Sequence, residues 1–252
     1  MDKDVYFNQM RTTKIEWTER TWNPVTGCTK ISEGCEHCYA ETMSRRLYAI
    51  GNSKYKNGFQ STVHPEDLYE PLRWKKPSTI FVCSMSDLFH KDVSFDFIDK
   101  VFGIIRSTPQ HNYQILTKRA ERMAEYFFNR SIPHNAWIGV TVEAKRTKLR
   151  IDYIRNLKAP IRFISFEPLL EDLGELDLTG INWIIVGGES GTQARPMKEE
   201  WVLNIKKQAD ELHIPFFFKQ WGTWSSEGIK SNKKNNGKLL QGIVVQNMPI
   251  VK

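Results

Sequence analysis

Short runs rich in β-branched, aliphatic and aromatic residues recur along this chain, most of them near-continuously apolar, at intervals that leave room for helices between them. The clearest lie at residues 79–83, 113–117, 136–141, 161–166, 183–187 and 215–219, and an earlier run at 21–25 makes a seventh. Runs this short with so many Ile, Val and Phe read as strands, and strands apolar throughout are covered on both faces, as in a parallel sheet. The intervening stretches at 39–50, 94–107, 119–129, 145–157 and 199–212 read as helices. In the last of them Trp201, Val202, Ile205, Ala209 and Leu212 return close to the 3.6-residue period. Alternation of strand and helix is the rhythm of an α/β fold with a parallel sheet, and the length suits a single α/β barrel.

Composition bounds the picture further. With 40% apolar and 12% aromatic residues the chain of 252 can bury a sizeable core, and no Gly/Ser/Pro-rich linker divides it, so one domain over 1–252 is expected. Residues 51–77, rich in Lys, Asn, Tyr and Pro, read as an insertion over the barrel mouth, and 223–252 as a peripheral tail. No apolar run approaches the roughly 20 residues that cross a bilayer. The start Met1-Asp2-Lys3-Asp4 lacks the basic and apolar regions of a signal peptide. The expectation is a cytoplasmic protein with no membrane partner, where four cysteines point to metal and not to disulfides.

A formal net charge of +7 suits a phosphate-rich partner. Basic residues gather at Lys145, Arg146, Lys148 and Arg150, expected on a solvated helix face. They gather again at Lys230, Lys233, Lys234 and Lys238, expected in a flexible loop.

Cys28, Cys35 and Cys38 crowd one short segment after the first predicted strand. Three thiolates can hold three corners of a metal centre and leave one position open for chemistry. The spacing admits an iron–sulfur cluster, a structural zinc completed by His37 or the distant Cys83, or reduced thiols that bind nothing. Cys83, at the end of a predicted buried strand, reads as a small apolar side chain, a hydrogen-atom donor or an extra ligand.

Polar residues stand where the other runs end: Ser84, Ser86 and Asp87; Lys118 and Arg119; Glu143; Glu167; Glu189 and Ser190; Lys219 and Gln220. In a parallel α/β barrel these ends share one rim, the rim that carries chemistry, and the cysteine segment lands there as well. Each residue taken singly reads equally as a helix cap or a salt-bridge partner.

A three-cysteine loop after the first strand of a parallel partial barrel resembles the radical S-adenosylmethionine superfamily. More closely, Thr21-Trp22-Asn23-Pro24-Val25-Thr26-Gly27-Cys28, Gly34-Cys35-Glu36-His37-Cys38-Tyr39-Ala40-Glu41, Ser84-Met85-Ser86-Asp87-Leu88-Phe89, Ser165-Phe166-Glu167-Pro168-Leu169, Gly187-Gly188-Glu189-Ser190-Gly191 and Phe218-Lys219-Gln220-Trp221-Gly222 resemble the phage-associated three-Cys-motif proteins. Six residues separate Cys28 from Cys35, a longer first interval than the superfamily's usual one, which asks for a larger loop.

The resemblance implies a partial parallel (β/α)6–7 TIM-like barrel. It implies a 4Fe-4S cluster on Cys28, Cys35 and Cys38 whose open iron binds S-adenosyl-L-methionine. Reductive cleavage, fed by a flavodoxin- or ferredoxin-like electron donor, would yield a 5′-deoxyadenosyl radical. His37 and Tyr39 would lie beside cluster or adenine, Ser84, Ser86 and Asp87 at the methionine amino group, Glu143 at the ribose, and Glu167, Gly187, Gly188 and Glu189 at the adenosyl or carboxylate end. Cys83, Lys118 and Lys219 are the catalytic candidates; Arg119 and Arg195 would complete a positive mouth, with Trp22, Trp221 and Trp224 available to stack on unpaired bases. The expected function is a radical S-adenosylmethionine enzyme modifying or repairing a nucleic acid or nucleotide. The alternatives are the same chemistry on a peptide or protein, a zinc-stabilised nucleic-acid-binding protein without catalysis, and a cluster-bearing scaffold.

Overall fold

The computed structural model describes residues 13–250, so the start read above for targeting lies outside the described residues. All seven apolar runs contribute strands to one sheet, hydrogen-bonded side by side in sequence order and parallel throughout. These are β1 (Arg20–Trp22), β4 (Thr79–Val82), β5 (Asn112–Thr117), β6 (Ala136–Thr141), β7 (Arg162–Phe166), β8 (Trp183–Gly187) and β9 (Phe216–Gln220). The sheet curls into a half-barrel with helices on its convex side, the partial TIM-like barrel expected from the sequence. The helices are α1 (Tyr39–Ala49), α2 (Phe95–Ser107), α3 (Ala120–Phe127), α4 (Arg150–Arg155) and α5 (Glu199–Glu211), with a short α6 (Lys233–Asn236) in the tail.

Successive strand residues face opposite sides, and the two faces do different work. Ile80, Val82, Ile138, Val140, Ile164, Phe166, Ile184 and Val186 pack outward against Phe97, Val101, Ile105, Met123, Ile154, Val202 and Ile205 of the helices. Inward, Phe81, Trp137, Phe163, Trp183 and Phe217 close around Trp17, whose ring lies 4.6 Å from Phe81 and edge-on to Trp183. This aromatic plug fills the N-terminal half of the concave face. Toward the strands' C-terminal ends the inward positions become Gly139, Ser165, Gly187 and Lys219, small or polar, which leaves the concavity open at the rim.

Three expectations change in detail. The run at 21–25 is broken at Asn23-Pro24; Pro24 has no N–H to give a ladder, and the chain resumes as β2 (Val25–Thr26), antiparallel to β3 (Thr62–Val63) of the 51–77 segment. The helix expected over 145–157 splits into a 3-10 turn at Lys145–Thr147 and the short α4, because the Thr147 hydroxyl binds back to its own turn. Its basic residues therefore do not share a solvated face: Arg150 is buried, and Lys148 Nζ caps the Leu173 and Glu175 carbonyls.

The tail forms a two-stranded ribbon, β10 (Leu239–Leu240) with β11 (Ile243–Val244), and then runs along β9: Phe218 donates to the Val245 carbonyl and Asn247 to that of Phe216. An outer strand of a parallel sheet, otherwise a row of free N–H and C=O groups, is covered this way.

Gly139 is fixed by the plug. A β-carbon there would stand 2.5 Å from the Phe163 ring, itself wholly buried. Gly139→Ala is expected to cost about 1–3 kcal/mol through overpacking, read as a lower midpoint in thermal or urea unfolding.

Candidate functional site

The cysteine loop runs from β2 to α1 at the rim. Gly27, at φ 76°, passes beneath the Gln60 carbonyl, where any side chain would collide. Its N–H binds the Met85 carbonyl, and that of Cys28 binds Phe59. Residues Glu33–Cys35 form a 3-10 turn, and Cys38 is the N-cap of α1 with a side chain that makes no capping bond. Cys28, Cys35 and Cys38 are all unbridged and partly exposed. Cys38 thus stands at the N-terminal end of an eleven-residue helix. Burial pushes the Cys28 thiol up to about 11, against the pull of the Arg119 guanidinium 3.4 Å away.

Three buried carboxylates at strand ends hold this loop, each through an arginine or a hydroxyl. Asp87, after β4, accepts from the Phe89 and Lys118 N–H groups, the Thr117 hydroxyl and Arg119 Nη1; Arg119 Nη2 then reaches the Thr29 carbonyl and hydroxyl. Glu143, after β6 and wholly buried, accepts from the Ser32 hydroxyl of the loop and from Arg150 Nη1 at 2.8 Å. Gly34 passes close over the same carboxylate, where a β-carbon would stand 3.0 Å from Glu143 Cγ and Oε1. Glu189, after β8, takes both arms of Arg195, whose Nη1 and Nη2 continue to the Glu36 carboxylate and the Glu33 carbonyl.

The remaining sequence-selected residues fall into two groups. Beside the loop, Tyr39 donates its hydroxyl to the Ser84 carbonyl, Ser84 Oγ binds Asn23, Ser86 Oγ binds the Val25 carbonyl, and His37 is partly exposed. On the concave face, Lys219 pairs with Glu167 at 2.9 Å, and Ser165 donates to the same carboxylate. A β-carbon at Gly187 would meet Glu167 Oε1 at 2.6 Å and turn that carboxylate aside, whereas one at Gly188 would strike the Trp221 backbone carbonyl. Gly188 thus has a packing reason within the chain. Cys83 belongs to the main core cluster; burial pushes its thiol up to about 12.

Lys118, Arg119, Arg195 and Lys219 do not form one positive mouth. Lys118 and Arg119 line a cleft on the β5–β6 side, Arg195 is spent on Glu189, and Lys219 stands four strands from Lys118. Trp22 and Trp221 lie in the core and give their indole N–H groups to the Asp67 and Leu239 carbonyls, while Trp224 binds the Ala194 carbonyl. The pattern missed Ser32 and Arg150. Serine beside a cysteine and arginine in a basic helix carry no signal until Glu143 is placed between them.

A single tetrahedral zinc, with Zn–S bonds of about 2.3 Å, needs its ligand atoms gathered tightly. Among the described residues no three His, Cys, Asp or Glu side chains are gathered to hold one ion. What the loop presents is three free thiols, one beside a guanidinium and one at a helix N-terminus, the donor type that an iron–sulfur cluster takes.

A family model described as "Protein of unknown function (DUF5131)" matches residues 12–249. No curated protein matches the chain. Among solved structures, a mutant of spore photoproduct lyase aligns at 12% identity and a TM-score of 0.46 over 71% of this chain and 58% of that one. Spore photoproduct lyase complexed with dinucleoside spore photoproduct aligns at 10% identity and a TM-score of 0.45 over 79% and 63%. The chain spans less than two thirds of these structures, and likeness of this degree leaves the chemistry to the chain's own residues.

Two measurements check the clamps. Arg195→Ala strands the Glu189 carboxylate, which is 6% exposed. The expected loss is about 2 kcal/mol, below the roughly 3–5 of a fully enclosed pair because the arginine side chain is 29% exposed; amide exchange across residues 33–36 should rise first. Because the Cys28 thiol is protonated at neutral pH, its alkylation by iodoacetamide in the metal-free protein should climb about tenfold per pH unit from 7 to 10. Mass spectrometry of the labelled peptide reads it; a plateau near pH 8 would contradict the assignment.

Proposed function

This chain belongs to the family described as protein of unknown function (DUF5131), and we propose that it is a radical S-adenosylmethionine enzyme acting on a nucleic acid or nucleotide. The observation that carries the reading is the position of three unbridged thiols at the C-terminal rim of a parallel half-barrel, on a loop fixed from three strand ends. Cys28, Cys35 and Cys38 would hold a 4Fe-4S cluster. Bound there with S-adenosylmethionine, the cluster supplies one-electron cleavage of the sulfonium and, through it, hydrogen-atom abstraction from substrate.

The chain's own residues would do the positioning. Arg119 offsets thiolate charge at Cys28 while Asp87, saturated by four donors, holds Arg119 in place. Asp87, Glu143 and Glu189 are turned to the loop and are positioning residues. The groups left to meet cofactor and substrate are Lys219, Glu167 and Ser165 on the concave face and Tyr39 and His37 beside the thiols. The aromatic plug below them closes the concavity and keeps water from entering from that end. Tyr39, 57% exposed, offers an aromatic face for a base, and the net charge of +7 draws a phosphate-bearing substrate.

Anaerobic reconstitution with iron and sulfide tests the reading. The reduced protein is expected to give a 4Fe-4S EPR signal that changes when S-adenosylmethionine is added, and Cys35→Ala to lose the iron. A colourless protein holding zinc and no iron would overturn it.

A further inference from the structure

Outside the concave site, the rim carries a second depression of about 530 Å³ between the turns that follow β5 and β6, walled on one side by the cysteine loop. Its lining is strongly cationic, but the charges are of two kinds. Arg119, Arg146 and Arg150 are paired with Asp87, Glu33 and Glu143. Lys91 and Lys118 have no carboxylate partner among the described residues, and Arg122 is held only by the His90 and Val93 carbonyls and the Phe95 ring, so its charge is not offset. Against these three stands one acid, Glu121.

The cleft is not purely polar. Ile31 is 43% and Leu149 56% exposed at its edge, an apolar component that a phosphate backbone would not use and that protein interfaces do. Its wall includes Ser32, whose hydroxyl is 3.8 Å from Cys35 Sγ, so an occupant comes to the edge of the thiol loop. None of Tyr39, Glu167 and Lys219 lines it, so it can be filled while the concave mouth stays open.

We infer that this cleft docks an acidic one-electron carrier protein of flavodoxin or ferredoxin chemistry, an inference that rests on reading the cysteine loop as a redox metal site. In the step served, one electron leaves the carrier's reduced flavin or iron–sulfur centre and enters the metal centre of the loop. The carrier is oxidised by one electron, and no atom moves between the proteins. Opposite surface charge steers the encounter and sets its salt dependence.

The probe is an oxidised, acidic flavodoxin titrated into the full, metal-free chain and followed by calorimetry, with no turnover required. Lys91 and Glu121 are exposed and have no ion-pair partner among the described residues, so reversing either leaves the fold alone. Lys91→Glu should weaken binding about tenfold, Glu121→Lys should tighten it severalfold, and added salt should flatten both effects. Equal affinity of both variants and the parent would overturn the inference. So would displacement of flavodoxin by a single-stranded oligonucleotide that obeys the same reversals, which would assign the cleft to nucleic acid. Iron uptake on reconstitution is scored separately: iron bound with a flavodoxin indifferent to the reversals sinks the docking surface alone, whereas charge-dependent binding without iron uptake removes the redox role along with the metal reading.

Discussion

The structure of this rim depends on one electrostatic constraint: three carboxylates, Asp87, Glu143 and Glu189, are buried where strands end and must be neutralised there. A buried carboxylate without hydrogen-bonding partners costs several kcal/mol, which exceeds what most surface loops gain by any one conformation. Each acid meets the demand with an arginine, Arg119, Arg150 or Arg195, and each arrangement also includes a group of the cysteine loop: Thr29 through Arg119, Ser32 on Glu143, Glu33 and Glu36 through Arg195. The loop is thus a required part of three ionic assemblies, which keeps a long segment with little secondary structure in register with the barrel.

Below that rim the half-barrel divides into a packed floor and an open upper layer. Trp17, Trp137, Trp183, Phe163 and Phe217 occupy the inward face so fully that Gly139 has no space for a methyl group. Two to four residues further along the same strands, the inward positions hold Ser165, Gly187 and Lys219. The fold thereby sets the depth to which a ligand can descend. Glu167 folds over Gly187 and pairs with Lys219, placing a partly exposed ion pair on the floor of the remaining space.

Much of this was legible in the chain. The seven apolar runs became seven parallel strands in order because strands covered on both faces have few alternatives to hydrophobic continuity, and a one-residue slip would still leave them apolar. The cysteine loop could be placed after the first strand by counting. What the pattern could not resolve was the role of polar residues at strand ends. Glu143 and Glu189 look like ligands in a sequence because carboxylates at that rim so often are; in the fold their oxygens are turned to Ser32, Arg150 and Arg195. Arg150 was hidden by its neighbours Lys145, Arg146 and Lys148, which made it one of a solvated set until the turn at Lys145–Thr147 rotated it inward.

The sequence by itself determined the elements, their order, the parallel sheet and the gathering of three thiols on one loop, because each of these follows from local periodicity or spacing. Only the tertiary structure decided which charges meet. Through Arg119 and Arg195, Asp87 and Glu189 each hold a loop that is distant in sequence, and Glu143 joins Ser32 to Arg150 across the rim. It also separated Lys118, in the cleft beside the cysteine loop, from Lys219, paired with Glu167 on the concave face. Charge pairing acts through space over a few ångströms, and spacing along the chain carries no record of it until the barrel has curled.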